Sequence, residues 1–152
     1  MIFQRARRRV TSEKRPAPKL EGVAFKTAFG WAGAAASARG LRHLVLPHPS
    51  RAQAESRLKR CGARVLPSSL PSFQPLVQAV QGYFEGKPVN LDFPLDLSSL
   101  PPFTRRVMSA ARKIQWGKVR TYGQLAAAAG SPRAARAVGA VMAKNPLALA
   151  VP

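Results

Sequence analysis

Polar and apolar positions along this chain change their period partway through. Val23, Phe25, Thr27 and Phe29 alternate with other residues, the pattern of a strand with one buried face. Gly30-Trp31 opens a second extended, small-residue stretch, the turn Ser37-Ala38-Arg39-Gly40 follows, and Leu41–Leu46 makes a third strand before Pro47. Strands so closely spaced form an antiparallel meander. The period then lengthens. Ser50 is placed to cap a helix running to about Arg60, with Glu55 set to pair Lys59 one turn on and Gly62 closing it. Ser72 caps another, with Phe73, Leu76, Val77, Val80, Tyr83 and Phe84 on one face and Gly86 at its end. Pro75 falls in its first turn, where proline is tolerated.

Leu97–Pro102, LSSLPP, reads as a connector. Phe103, Val107, Ala110, Ala111 and Ile114 then form a helical apolar stripe, with Arg105, Arg106, Arg112 and Lys113 opposite and Gly117 at the end. A short helical run, Gln124–Ala129, stops at Gly130. Ser131 is placed to cap the next helix, with Pro132 at its first position. That helix runs to about Ala143 and breaks at Asn145-Pro146; a short apolar strand, Leu147–Val151, follows. Two helices joined by a tight Gly-containing turn read as a helix-turn-helix, with Pro132–Ala143 as the recognition helix. The expected fold is an α/β N-terminal domain of antiparallel strands plus helices. A mostly α, winged helix-turn-helix-like C-terminal domain follows it, incomplete at its C-terminus. The expected division is a basic disordered lead over 1–20, the α/β domain over 21–97 and the helix-turn-helix domain over 101–152.

Charge sharpens this picture. The chain has 25 Lys+Arg against 6 Asp+Glu, a formal net charge of +19. All the acids (Glu13, Glu21, Glu55, Glu85, Asp92 and Asp96) precede Leu97, after which nine basic residues occur and no acid. Such a segment expects a polyanion, and nucleic acid is the usual one. The competing explanation is a surface made basic for solubility or by codon bias. An Arg-rich, acid-poor start also resembles an organelle transit peptide, so organelle targeting stays open. No apolar run reaches the ~18 residues of a membrane span, and no secretory signal is visible. One cysteine without a partner fits a reducing compartment, so the expected location is the cytoplasm, on nucleoid DNA.

Few residues invite catalysis. Cys61 is the only thiol; Lys59, Arg60 and Arg64 would favour its thiolate, yet no His adjoins it and it ends a helix, so a structural role is expected. His43 and His48 lack the partners of a metal site, and neither metal nor cofactor is expected. Trp31 and Trp116 read as packing residues. The recognition helix is unusually smooth: Ala134, Ala135, Ala137, Gly139 and Ala140, with Arg133 and Arg136 as the long polar side chains of its first two turns. Such a surface suits either a narrow groove or close packing on a neighbouring helix, and periodicity leaves both open. Taken alone, Arg136 reads as a solvated charge and Tyr122 as a core residue with its hydroxyl at the surface.

The ordered set Phe103-Thr104-Arg105-Arg106-Val107, Gly117-Lys118-Val119-Arg120-Thr121-Tyr122-Gly123, Ala134-Ala135-Arg136-Ala137-Val138-Gly139 and Asn145-Pro146 resembles the O6-alkylguanine-DNA alkyltransferases. Those repair proteins move an alkyl group from guanine O6 to their own cysteine. The resemblance is dense over Pro101–Pro152 and looser over Gly22–Leu97, where it includes Phe29-Gly30-Trp31, Tyr83-Phe84-Glu85-Gly86 and Leu95-Asp96-Leu97. It implies DNA contacts at Thr121, Tyr122, Arg133, Ala135, Arg136, Ala137 and Gly139. Tyr122 would push the phosphate beside the target nucleotide, Arg136 would fill the gap in the stack, and Asn145 would tie the recognition helix to the active-site strand. The implied partner is double-stranded DNA containing O6-alkylguanine, bound by a monomer. In that family the run after Asn-Pro ends in Pro-Cys-His-Arg, so the acceptor cysteine would follow Pro152, with its histidine, a later glutamate and the rest of the wing. The expectation is a chain inactive as given and prone to aggregate, with Leu147–Pro152 frayed or misplaced. Two alternatives remain: an alkyltransferase-like, non-enzymatic lesion binder with tryptophan in the cysteine's place, and a plain DNA-binding module.

Overall fold

The computed structural model describes residues 19–115 and 117–152. The lead and Trp116 therefore lie outside the described residues, apart from Lys19 and Leu20. Leu20 belongs to the fold rather than to the lead: it is buried, and its carbonyl accepts the Arg64 amide at 2.9 Å.

Strands β1 (Glu21–Thr27), β2 (Gly30–Ser37) and β3 (Gly40–His48) form the expected antiparallel meander. A fourth strand, β4 (Arg64–Leu66), pairs parallel to β1, so the sheet is mixed, in the order β3-β2-β1-β4. Three residues are too few to show a period, and the sequence did not reveal this strand. Phe29 leaves the buried face assigned to it. Strand β1 ends at Thr27, whose hydroxyl donates to the Gly30 carbonyl (2.9 Å) and accepts the Phe29 amide (3.2 Å), which turns the Phe29 ring out to 72% exposure.

Both faces of the sheet are covered. Helix α1 (Arg51–Arg60) starts where Ser50 accepts the Gln53 amide, and it lays Ala54 and Leu58 against Ala24 and Ala35. The small residues of β2 admit this helix: a Cβ on Gly33 would stand 3.1 Å from the Leu58 side chain. Glu55 pairs with Arg51 (2.7 Å), not with Lys59. Both are one turn away, but the Arg51 guanidinium is held over the Trp31 ring, 5.6 Å from its centroid. On the other face lies α2 (Gln74–Phe84), with Leu76, Val77 and Val80 buried beside Phe73. Ser72 does not cap it. A 3-10 turn over Pro71–Phe73 starts the segment earlier, with Pro71 fixing its entry. Tyr83 stands on the rim of the expected apolar face, 37% exposed.

Helices α3 (Pro102–Arg112), α4 (Tyr122–Ala128) and α5 (Ala135–Ala143) complete the chain. Helix α3 begins inside the expected connector, because Pro102 is pre-organised for a first helical position. Its Val107, Met108 and Ala111 share one apolar cluster with Val23, Phe25 and Leu44 of the sheet and with Leu125 and Val138 of α4 and α5. The segment after α5 is not the expected strand. Leu147 makes a single parallel bridge to Leu44, the Leu44 amide donates to the Pro146 carbonyl (2.7 Å), and a turn brings the Val151 amide to the Leu147 carbonyl (2.9 Å). The turn needs Leu149 at a positive φ of 72°. Leu147 and Val151 are buried, and the edge of β3 receives Leu147.

A second clasp holds the residues before α3. Asp96 is buried and accepts from Ser37 Oγ (2.5 Å), the Arg42 guanidinium (2.6 Å), Ser98 Oγ (2.5 Å) and the Ser98 amide (3.0 Å). Burial alone would raise its pKa. The hydrogen bonds from Ser37, Ser98 and Arg42 outweigh that and hold the carboxyl well below the usual range. A depressed folded pKa adds stability that is present above the unfolded-state value, near 4, and is lost as pH falls toward the folded one. Urea midpoints should therefore decline through the acid range below about pH 4, and Asp96→Asn should flatten that decline. At neutral pH Asp96→Ala should cost about 3–5 kcal/mol, because it strands a nearly buried guanidinium.

Candidate nucleic-acid interface

Helix α4 starts earlier than Gln124. Thr121 Oγ1 accepts the Gln124 amide (3.2 Å) and Gln124 Oε1 accepts the Thr121 amide (2.8 Å), a reciprocal cap. The Thr-x-x-Gln spacing carried this signal. The cap sets Tyr122 at the first helical position.

The other end of α4 determines how α5 begins. Gly130, at φ 74°, donates to the Ala127 carbonyl (2.9 Å) and Ser131 to the Ala126 carbonyl (2.8 Å). These two bonds satisfy the last carbonyls of α4. Ser131 gives its backbone amide to α4 and stands four residues before the start of α5, whose N-cap is Ala134, so its side chain does not cap the next helix. Pro132 and Arg133 form a turn, Ala134 donates to the Ser131 carbonyl, and α5 begins at Ala135 with no side-chain cap. The amides of Ala135, Arg136 and Ala137 open the helix, where an anion is favoured. Arg133 and Arg136 are exposed beside them.

The smooth surface of α5 divides between the two uses open to it. Val138 is buried and Ala134 packs on the core, whereas Ala137 and Ala140 face solvent. Gly139 does something else. The Tyr122 ring lies against it, so that a Cβ there would stand 3.2 Å from Tyr122 Cε2. Tyr122 is 51% exposed and is not a core residue. The structure brings Tyr122 of α4 against Gly139 of α5; Ala135, Arg136 and Ala137 lie in the first turn of α5, Thr121 caps α4 and Arg133 lies on the turn between the helices. At the far end of α5, Asn145 Oδ1 accepts the Leu147 amide and its Nδ2 donates to the Val151 carbonyl, both at 2.9 Å. This one side chain fixes both ends of the 147–151 turn.

Charge is segregated accordingly. Every described acid is paired: Glu21 with Arg64, Glu55 with Arg51, Glu85 with Lys87, Asp92 with Arg112 and Asp96 with Arg42. Beyond Arg112, no described cation of 97–152 forms an ion pair. Cys61 caps the C-terminus of α1; burial pushes its thiol pKa up, with the nearby Arg57 opposing. The expected thiolate-favouring effect of Lys59, Arg60 and Arg64 does not prevail. No group of three metal-ligating side chains occurs among the described residues.

Residues 102–152 match the profile described as "6-O-methylguanine DNA methyltransferase, DNA binding domain", and residues 35–97 match its "ribonuclease-like domain". A methylated-DNA–protein-cysteine methyltransferase of Saccharolobus solfataricus is 43% identical over 81 residues, 53% of this chain and 52% of that protein. One from Mycolicibacterium paratuberculosis is 41% identical over 81 residues, 53% of this chain and 48% of that protein. The chain thus spans about half the length of these relatives. Among solved structures, the Mycobacterium tuberculosis O6-methylguanine methyltransferase superposes with a TM-score of 0.68 at 28% identity, covering 88% of this chain and 75% of that one. The mycobacterial protein in complex with DNA gives 0.65 at 30% identity, covering 87% and 74%.

The Tyr122–Gly139 contact makes a separable prediction. Gly139→Ala removes a poor helix former and should raise the stability of α5 by up to about 1 kcal/mol, while displacing the Tyr122 ring by a few tenths of an ångström. The expected result is an undiminished melting temperature with weaker DNA binding. Unchanged binding would mean that the ring's seat on Gly139 does not matter to the interface.

Proposed function

The chain belongs to the 6-O-methylguanine DNA methyltransferase family, and from that premise we propose that the whole protein repairs double-stranded DNA carrying O6-alkylguanine. It would do so as a monomer, in the cytoplasm, by single-turnover transfer of the alkyl group to a cysteine of its own. The observation that carries this reading is the pairing of an exposed Arg136 with an exposed Tyr122 on one small-residue surface. An alkylated O6 atom cannot be reached inside a duplex, so its nucleotide must be rotated out, at a cost of a few kcal/mol. A helix faced with Ala135, Ala137 and Gly139 can approach a narrow groove closely. Arg136 then enters the stack, where its planar guanidinium can stack and still donate hydrogen bonds to the orphaned base. Tyr122 presses on the neighbouring phosphate. Arg133 and the uncapped amides of α5 hold the backbone.

In the transfer step a thiolate sulfur attacks the alkyl carbon in line. The carbon–O6 bond breaks, its electron pair stays with guanine, and the thioether remains on the protein. Cys61, with its pKa raised and no base beside it, is not assigned this role. Asn145 supports the step indirectly, by fixing the 147–151 turn between the recognition helix and the sheet.

The test separates flipping from chemistry. In the whole protein Arg136→Ala should slow repair of an O6-methylguanine duplex by an amount worth a few kcal/mol, yet leave reaction with free O6-benzylguanine nearly unchanged. Arg133→Ala should weaken binding to all sequences and reduce the salt slope by about one unit. Equal losses of Arg136→Ala on duplex and free base would remove the intercalating role.

A further inference from the structure

The cations of α3 are not used by the interface described above. Arg105, Arg106 and Lys113 line a groove of about 490 Å³ together with Ser109, Arg120 and Ala128. All six are exposed. The groove lies between α3 and α4, and α3 is fixed in the core by Val107, Ala110 and Ala111. Arg106 is held in place: its Nε donates to the Ala129 carbonyl at 2.9 Å, and its guanidinium sits 5.8 Å from the Phe103 ring centroid. That uses one of its five donors. Among the described residues Arg105, Arg106, Lys113 and Arg120 form no ion pair, because each described acid is already taken elsewhere.

Four cations with no counter-charge among the described residues, gathered on a rigid groove, favour an anion of matching extent. From Arg105 to Lys113 the helix rises about 12 Å, a length along which one DNA strand presents about three to four phosphates. Arg120 joins the groove to the interface, since it lies just before the capped Thr121-Tyr122 start of α4. We propose that this groove binds the sugar-phosphate backbone of the same duplex that α5 reads, beyond the nucleotides touched by Tyr122 and Arg136. It rests on the DNA-repair reading and extends its footprint to α3. Groove contacts are purely ionic and do not distinguish damaged from intact DNA. They therefore contribute to binding wherever the protein lands and leave lesion selection to α5.

The experiment measures binding of the full chain to an undamaged duplex of about 20 base pairs over a series of salt concentrations. The triple variant Arg105→Gln, Lys113→Gln, Arg120→Gln should flatten the slope of log K against log salt by about 0.9 for each phosphate no longer neutralised, up to about 2.7. A matched variant, Arg57→Gln, Lys59→Gln, Arg60→Gln on α1, removes the same charge from exposed positions outside the groove and should leave the slope unchanged. A charge-conserving variant, Arg105→Lys, Lys113→Arg, Arg120→Lys, should keep the unmodified slope. Thermal unfolding of each variant reports whether the fold is intact. If the unmodified chain binds DNA and the groove variant keeps its slope, the proposal fails and the DNA-repair reading stands. If the unmodified chain binds no DNA, both fail. An equal flattening in the α1 variant would reduce the effect to net charge. A flattening seen only in complexes of two duplexes per chain would overturn the single-duplex placement.

Discussion

Leu147 on Leu44 is a backbone-anchored contact within the one core that the two halves of the molecule share. Leu147 is fully buried, and the backbone bond from Leu44 to Pro146 holds it at the edge of β3. Asn145 continues the tie on the other side, reaching Leu147 and Val151 with one amide. The recognition helix is thereby anchored to a sheet rather than carried on a loop. The role proposed for Arg136 needs a helix that resists being pushed back, and a core that includes Val107, Met108, Val138 and Leu147 supplies that resistance.

The electrostatic organisation follows a similar division of labour. Four of the described acids hold cations of the N-terminal half, and Asp92 holds Arg112 of α3. Asp96 is the extreme case, a carboxylate nearly withdrawn from water and satisfied by Ser37, Ser98 and Arg42; the Nε of Arg42 is left without a partner. The acids act as local clasps and the remaining cations of the C-terminal half stay available. A field of one sign over α3, α4 and α5 favours encounter with a polyanion before any specific contact forms.

Much of this was legible in the residues. The meander, the Ser50 cap, the helical stripe of α3 and the Gly130 stop follow from period and from local chemistry. Most of the departures come from contacts distant in sequence. Leu147–Val151 has the composition of a strand, yet it folds as a turn because only Leu44 and Asn145 offer it partners. Phe29 continues an alternating pattern, yet Thr27 closes the strand before it. Arg51 takes Glu55 because Trp31, twenty residues earlier in the chain, steadies its guanidinium. Strand β4 is set by pairing with β1, which no local pattern encodes. For the interface, the Thr121–Gln124 cap was readable and its importance for Tyr122 was not, since the ring's seat on Gly139 joins two helices.

The uncapped start of α5 has a thermodynamic consequence. With alanine at the N-cap and no side chain bonded to the first amides, that end of the helix has no side-chain partner to replace water. Whatever supplies acceptors there does so only in the bound state. Under mass action a ligand that meets those amides stabilises the native chain over the unfolded one, and the gain is concentrated in the first turn of α5. A helix that meets a ligand in this way is completed by the molecule it binds, and its order at that end then depends on ligand concentration as well as on sequence.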